Sequence, residues 1–409
     1  MHIKNKATKI LLILFIFCPI IAASYIYLSI PAEITISSGN ISPYKAKPIS
    51  LFPHQSILTA SDSIASQDTD DSYTLSLKLF NRIPFKNVNV SVMPKVYVIP
   101  SGRPIGVKIY TDGILIVGVS YVTDTDGNNV YPAKDAGIHE GDIIRKINGK
   151  DVTTIEEMSE YINAAHGNIT ATIERGRTTH DVSVTASLCG DDGMYRMGIW
   201  VRDTAAGVGT MTFYTSETKD FAALGHAITD VDTGDILKLG SGRIISCRIL
   251  SVNKGAKGEP GELIGTFTND NMGSILVNSG LGVYGRLEDY PYEEAAEPVP
   301  IATRFEIQTG SAYILADTDG SGVKKYDIEI LRCAKDNSKN NKGIVFRVTD
   351  NELLEKTGGI VQGMSGCPII QNDMLIGAVT HVFINDPTKG YGIFAENMID
   401  TINVMEKSA

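Results

Sequence analysis

Residues 362–370 of this chain read Gln362-Gly363-Met364-Ser365-Gly366-Cys367-Pro368-Ile369-Ile370. A serine stands between glycines, a proline follows it closely, and apolar residues come after the proline. Glycines let the backbone turn tightly and leave its N–H groups accessible. The stretch therefore has two interpretations, a turn between two strands or a loop that presents a nucleophilic serine, and by itself it favours neither.

A nucleophilic serine needs a general base, and the histidines narrow the choice. The pattern G-x-S-G-x-P before an apolar strand is typical of the nucleophile loop of chymotrypsin-like proteases, in which a histidine activates the serine. Of the seven histidines, five lie in the N-terminal segments or in the middle module described below. His226 and His381 remain. We interpret His381, on the strand pattern MLIGAVTHVFI, as structural, and His226, which precedes Ser365 by a whole subdomain, as the base.

The third member of such a site, which orients the imidazole, is not fixed by the residues. The candidate acids are Asp230, Asp232, Asp235, Asp270, Asp289 and Asp350. A weaker alternative is a metal site built from His226 with the first three of these acids. Those acids are better explained as residues that shape the turn around Gly234.

Composition excludes several classes of protein. The 409 residues include 47 acidic and 37 basic ones, a net charge of −10, which is unfavourable for nucleic-acid binding. The 39 glycines favour a turn-rich, mainly β chain. The cysteines form no C-x-x-C pair, which argues against a zinc site or a disulfide framework; they are Cys18, Cys189, Cys247, Cys333 and Cys367. No metal and no cofactor are expected.

The N-terminus predicts a membrane anchor. Residues 10–30 form an uncharged, apolar run of 21 residues, long enough to span a bilayer as a helix. Lys4, Lys6 and Lys9 precede it, which predicts that residues 1–9 form a cytoplasmic tail. A cleaved signal peptide is the alternative, but no clean cleavage site ends the run. Residues 31–94 are rich in Ser, Asp and Pro and are predicted to form an extracytoplasmic stalk.

The middle of the chain, residues 95–187, resembles the PDZ domains of bacterial proteases. The resemblance rests on the run A-G-x-x-x-G-D-x-I-x-x-I-N-G between Ala136 and Gly149. Asn148-Gly149 predicts a hairpin turn, and Thr153 is predicted to cap a helix through Glu156. PDZ domains bind a peptide as an added strand and hold its terminal carboxylate on a loop. By resemblance, that loop is Arg103-Pro104-Ile105-Gly106-Val107.

The chain as a whole resembles the stage IV sporulation protein B peptidases, serine peptidases of endospore-forming Firmicutes. The blocks LGHAITDVDTG and KTGGIVQGMSGCPIIQNDMLIGAVTHVF carry this resemblance, together with the anchor and the PDZ-like module. It implies a mainly β fold with a chymotrypsin-like double β-barrel over residues 188–409. It places the catalytic residues on His226, Asp350 and Ser365. Cys367 departs from the serine that is usual in the family.

The resemblance also implies a mechanism and a role. His226 would take the proton of Ser365, and the N–H groups of Gly363 and Ser365 would form the oxyanion hole. The family resides in the forespore membrane, with its bulk in the space between forespore and mother cell. It cleaves itself near the N-terminus, releasing fragments, and then cleaves the membrane-bound inhibitor of an intramembrane metalloprotease, which allows pro-sigma-K processing. A catalytically inactive, membrane-anchored PDZ scaffold is the alternative, and the intact set of site residues argues against it.

Overall fold

The computed structural model describes residues 15, 17–28, 30–37, 58–63, 72–93, 95–288, 297–334 and 340–408. Strands dominate, and the described helices are α1 (residues 17–28), α2 (Pro132–Asp135), α3 (Ile155–Ala164), α4 (Asn351–Thr357) and α5 (Ala395–Ser408). Within the described ranges, none of these helices is both long and apolar enough to cross a membrane. The predicted anchor, residues 10–30, lies partly outside those ranges.

A small sheet follows α1, where the sequence predicted a stalk. Its strands are β1 (Glu33–Ser37), β2 (Leu58–Ser63), β3 (Ser72–Leu79) and β4 (Ile83–Met93), in the order β1-β4-β3-β2. Leu75, Leu77, Val88 and Val90 alternate on one face and are buried with Phe305. The described part of this segment is therefore folded, because the period-two alternation of apolar residues supplies a core. Residues 38–57 and 64–71 lie outside the description.

The PDZ-like module is an α+β unit built around α2 and α3. The strands between residues 97 and 196 are β5 (Tyr97–Pro100), β6 (Pro104–Val119), β7 (Val122–Thr123), β8 (Asn129–Val130), β9 (Ile143–Ile147), β10 (Lys150–Asp151), β11 (Asn168–Arg175), β12 (Thr178–Thr185), β13 (Ser187–Leu188) and β14 (Tyr195–Arg196). The predicted hairpin at Asn148-Gly149 joins β9 to β10. The predicted capping box lies one residue later than expected, at Thr154 and Glu157.

The first barrel closes around six strands, one of which is β6. The others are β15 (Ile199–Tyr214), β16 (Asp220–Ala223), β17 (Leu239–Asn253), β18 (Glu262–Ser279) and β19 (Gly282–Leu287). The order around the barrel is β6-β17-β18-β19-β16-β15, and pairing of β15 with β6 closes it. Its interior holds large apolar side chains such as Phe221, Ile105 and Ile244.

The second barrel is closed by the last six strands. After β20 (Val299–Pro300), they are β21 (Gly310–Ala316), β22 (Lys324–Cys333), β23 (Ile344–Val348), β24 (Pro368–Gln371), β25 (Met374–Phe383) and β26 (Asp386–Phe394). Their order is β21-β22-β23-β26-β25-β24. Strands β21 and β22 pair antiparallel as a hairpin. The predicted double-barrel architecture is thus present.

Strands β6 and β15, each 16 residues long, run without interruption from the PDZ-like module into the first barrel. This corrects the prediction for Arg103-Pro104-Ile105-Gly106-Val107. Residues 104–107 pair with β15 on one edge, and residues 105–107 pair with β17 on the other. The carbonyl of Arg103 accepts from the Met211 N–H. Because the backbone groups of this stretch serve the barrel, they are not the carboxylate-binding loop of a peptide groove.

Candidate active site

Ser365 lies on the loop between α4 and β24 of the second barrel, where this loop contacts the first barrel. The Thr210 N–H, on β15, donates to the Ser365 carbonyl at 2.9 Å, and the Gly366 N–H donates to the Val379 carbonyl at 2.7 Å. The side chain of Ser365 is half-buried, and its Oγ donates to the carbonyl of Thr380 at 2.9 Å. The first barrel and strand β25 of the second barrel therefore fix this serine from two sides.

Two glycines allow the barrels to approach this closely. A Cβ at Gly366, where φ is +98°, would lie 2.0 Å from the Thr210 carbonyl oxygen and 2.6 Å from the Leu224 nitrogen. A Cβ at Gly225, where φ is +69°, would lie 2.7 Å from Cγ2 of Thr380. Contacts this short with backbone atoms exclude any larger residue at position 366. The glycines of the sequence pattern therefore serve both the turn and the barrel interface.

The loop also presents two backbone donors. Among the described residues, no acceptor engages the N–H of Gly363 or of Ser365. The peptide before Met364 is held by the Thr210 hydroxyl, which donates to the Gly363 carbonyl at 2.8 Å. Two unengaged N–H groups beside a serine hydroxyl can stabilise an oxyanion formed on a substrate carbonyl.

His226 reaches the barrel interface from the end of β16. Leu224 and Gly225 both have positive φ and redirect the chain after the strand. Nδ1 of His226 lies 2.8 Å from the carbonyl oxygen of Ala227. A carbonyl can only accept, so this contact puts the proton on Nδ1 and leaves Nε2 as the acceptor. Burial lowers the pKa of His226, and the Ala227 carbonyl opposes that shift.

His381, which the sequence suggested was structural, lies beside His226. The two ring centroids are 5.4 Å apart and the rings are tilted by 45°. His381 directly follows Thr380, whose carbonyl accepts from Ser365, and its buried Nδ1 has no hydrogen-bond partner. The pKa of His381 is lowered to about 4, mainly by burial and further by the nearby charges of His226 and Lys342. The alternation of β25 could not decide which side His381 faces; its contact with the His226 ring does.

Asp350 is engaged elsewhere. It is the N-cap of α4: Oδ1 accepts from the Leu353 N–H at 2.9 Å, and Oδ2 accepts from the Asp327 N–H at 3.3 Å. Among the described contacts of Asp350 and His226, none joins the two residues. The structure does not bring Asp350 and His226 together: the Asp350 carboxylate caps α4, and the Ala227 carbonyl faces Nδ1 of His226.

The acids after His226 form a turn held by an arginine. Arg202 pairs with Asp230 at 2.6 Å and with Asp232 at 2.7 Å. Oδ1 of Asp230 also accepts from the N–H groups of Asp232 and Thr233. Across the described residues, no group of three or more His, Cys, Asp or Glu is arranged to hold a metal ion. The turn interpretation of these acids agrees with the contacts.

Cys367 is a buried packing residue. Its Sγ lies 3.6 Å from Oγ1 of Thr210, and its side chain is 1% exposed. Burial raises the pKa of this thiol to about 12, so the thiolate that acts as a nucleophile is scarce at neutral pH. A cysteine two residues after Ser365 thus fills the loop without competing with the serine.

A family model described as SpoIVB peptidase S55 matches residues 193–399, just over half of the chain, and a PDZ domain model matches residues 128–175. No curated protein matches the chain significantly. One similar solved structure is the PDZ domain of the SdrC-like protein (Lmo2051) from Listeria monocytogenes, with 22% identity over 22% of this chain and 90% of that chain and a TM-score of 0.19. Another is the active form of the Rv3671c protease from M. tuberculosis, with 15% identity over 49% of this chain and 74% of that chain and a TM-score of 0.25.

Proposed function

Because the chain belongs to the SpoIVB peptidase S55 family and is a serine peptidase, we propose that Ser365 is its nucleophile and His226 its general base. One observation carries the proposal. The Ser365 hydroxyl lies on a loop with two unengaged N–H groups, and this loop contacts the segment that ends in His226. Protein substrates follow from the peptidase activity.

The reaction proceeds by acyl transfer. Oγ of Ser365 turns away from the Thr380 carbonyl, gives its proton to Nε2 of His226 and attacks the substrate carbonyl carbon. The resulting oxyanion accepts from the N–H groups of Gly363 and Ser365. His226 then gives the proton to the leaving amine as the C–N bond breaks. A water molecule, activated by the same imidazole, hydrolyses the acyl-enzyme and restores Ser365.

Two neighbours orient the base in place of an acid. The Ala227 carbonyl fixes the tautomer of His226, since it accepts from Nδ1 and leaves Nε2 free for the serine proton. His381 packs against the same ring and keeps water from it. Burial keeps both imidazoles neutral at neutral pH, which is the state that a general base requires. His381 is a positioning residue in this scheme.

The test is covalent labelling and self-processing. A fluorophosphonate probe should label the purified wild-type chain, and Ser365→Ala should remove both the label and any self-cleavage. His226→Ala should slow labelling by several orders of magnitude, since it removes the base. Self-cleavage of the Ser365→Ala variant in the absence of other proteases would overturn the assignment. Absence of labelling of the wild type by several probes would instead favour a PDZ scaffold without activity.

For the biological role, we infer a sporulation signalling peptidase that cleaves itself and then the membrane-bound inhibitor of an intramembrane metalloprotease. The family membership supports this role, as does the uncharged run of residues 10–30 after three lysines, which suits an anchor in the forespore membrane. In an endospore former that lacks its own family member, the wild-type chain should restore pro-sigma-K processing. Restoration by the Ser365→Ala variant would contradict a role based on proteolysis.

A further inference from the structure

Strand β15 has an open edge that connects the PDZ-like module to the nucleophile loop. On one edge, β15 pairs with β6 from Ile199 to Thr210, with register shifts between Trp200 and Val201 and between Arg202 and Thr204. On the other edge, only β16 pairs with it among the described strands, and only from Met211 to Tyr214. The backbone groups on this second edge are therefore unpaired from Ile199 to Val208. An unpaired edge of this length is a template for an added strand.

The open edge of β15 leads directly to the nucleophile loop at Thr210. The Thr210 N–H donates to the Ser365 carbonyl, and the Thr210 carbonyl accepts from the Leu224 N–H, so both backbone groups of Thr210 point toward this edge. In a strand, the N–H and C=O of every second residue point to the same edge. Val208, Ala206 and Thr204 therefore present their backbone groups in one line that leads away from Ser365.

A cleft follows that line. Its walls include Ala206 and Val208 on β15 and Leu224 and Ile228 on the segment around His226, and its volume is about 370 Å³. Ala206 and Gly207 are exposed there. The cleft is bounded by a strand edge and a loop, so its shape suits one extended backbone rather than a folded partner.

The far end of the same edge lies in the groove of the PDZ-like module. Here β15 begins at Ile199, next to Met197-Gly198, and it faces the α3 residues Ile155, Met158 and Ile162 across a groove of about 660 Å³. The neighbouring Trp200 is 68% exposed. An edge strand beside a helix is the arrangement in which a peptide adds as a further strand.

We propose that the C-terminal segment of a protein substrate binds antiparallel along this whole edge, from the nucleophile loop to the groove. An antiparallel peptide runs opposite to β15, so its carboxylate lies at Met197-Gly198 and its upstream part lies at Ser365. Strand residues pair nearly one to one, so the cleaved bond lies about 10 to 12 residues before the C-terminus. For a substrate bound in this way, the enzyme selects the cleavage site by distance from the carboxylate; self-cleavage near the N-terminus does not use this register. This inference rests on the proposed role of Ser365.

The test uses nested peptides with a repeating sequence, so that every register offers the same side chains. The peptides differ by one to four residues added at the C-terminus, and mass spectrometry locates the cut. We expect the cut to stay about 10 to 12 residues from the free carboxylate in each peptide, and to spread over many bonds when the C-terminus is amidated. A cut at a fixed distance from the N-terminus, or one unaffected by amidation, would overturn the proposal.

Two substitutions in α3 test the role of the groove without changing the catalytic residues. Ser159→Trp fills the groove, and we expect it to abolish the preferred distance and lower kcat/KM for the free-carboxylate peptides by about five- to tenfold. Glu160→Trp, on the exposed side of the same helix, should leave the pattern unchanged. An unaltered pattern in Ser159→Trp would contradict the proposal. If the wild type is not labelled by a fluorophosphonate at all, the assignment of Ser365 as the nucleophile fails instead.

Discussion

The backbone N–H of Thr210, in the first barrel, donates a 2.9 Å hydrogen bond to the carbonyl of Ser365, on the loop between α4 and β24 of the second barrel. The hydroxyl of the same threonine donates to the Gly363 carbonyl at 2.8 Å. Thr210 thus donates hydrogen bonds to two carbonyls of the nucleophile loop. Since Thr210 belongs to β15, the position of this loop depends on the strand that also borders the PDZ groove.

Removal of the Thr210 hydroxyl should loosen the nucleophile loop. Thr210→Val leaves the partly buried Gly363 carbonyl without its donor, which should lower the free energy of unfolding by about 1 kcal/mol. It should also lower kcat/KM, because the Gly363 and Ser365 N–H groups lose their fixed direction. Urea unfolding and peptidase assays measure the two effects. Thr210→Ser retains the hydroxyl and is the control; equal behaviour of the two variants would count against this role.

Asp350 can be assigned by two substitutions. As an N-cap, Asp350→Ala should destabilise the chain by about 0.5–2 kcal/mol, whereas Asp350→Asn should keep the cap and most of the stability. As a triad acid, Asp350→Asn should instead reduce kcat by about 10⁴-fold. We expect Asp350→Asn to retain activity within a few-fold. A collapse of kcat in a stable Asp350→Asn variant would restore Asp350 to the catalytic set.

The pH dependence should reveal the contact between His226 and His381. Burial lowers the pKa of His226, so the neutral base persists to lower pH and the acidic limb of kcat/KM should lie below the ordinary histidine pKa of about 6.5. In His381→Ala, water reaches the His226 ring, its pKa rises, and the limb should move to higher pH. His381→Phe keeps the ring shielded and should retain the low limb. Superimposable profiles for wild type and His381→Ala would refute the positioning role.

Cys367 should neither react with alkylating agents nor take part in catalysis. Because the thiol is buried and its pKa is raised to about 12, iodoacetamide should not modify it in the folded chain at pH 8. Cys367→Ser should keep kcat/KM within about threefold, since the two side chains are close in size. Intact mass measurement and a peptidase assay suffice. Loss of activity with retained fold in this variant would reopen the cysteine as a nucleophile.

Several features of the site could be predicted from sequence because they are local. The loop around Ser365 needs glycines and a serine at fixed spacing, and His226 was selected after five histidines were assigned to other segments and His381 was interpreted as structural. Gly358, which adopts a φ of +79° at the C-cap of α4, is a local signal of the same kind, because a left-handed residue that ends a helix is usually glycine. Turns, caps and alternating strands depend on neighbouring residues, so their patterns remain readable in the sequence.

The tertiary structure decided what depends on residues far apart in the chain. The sequence placed Arg103-Pro104-Ile105-Gly106-Val107 in a peptide groove, but strand pairing put them in the first barrel between β15 and β17. The tertiary structure also placed His381 beside His226 and put the Asp350 carboxylate at the N-cap of α4. The physical reason is that a strand pattern fixes alternation but not which strands pair or which face meets a neighbour. Pairing of β6 with β15 and β17 made that choice for residues 104–107, and the contact between the two barrels made it for His381.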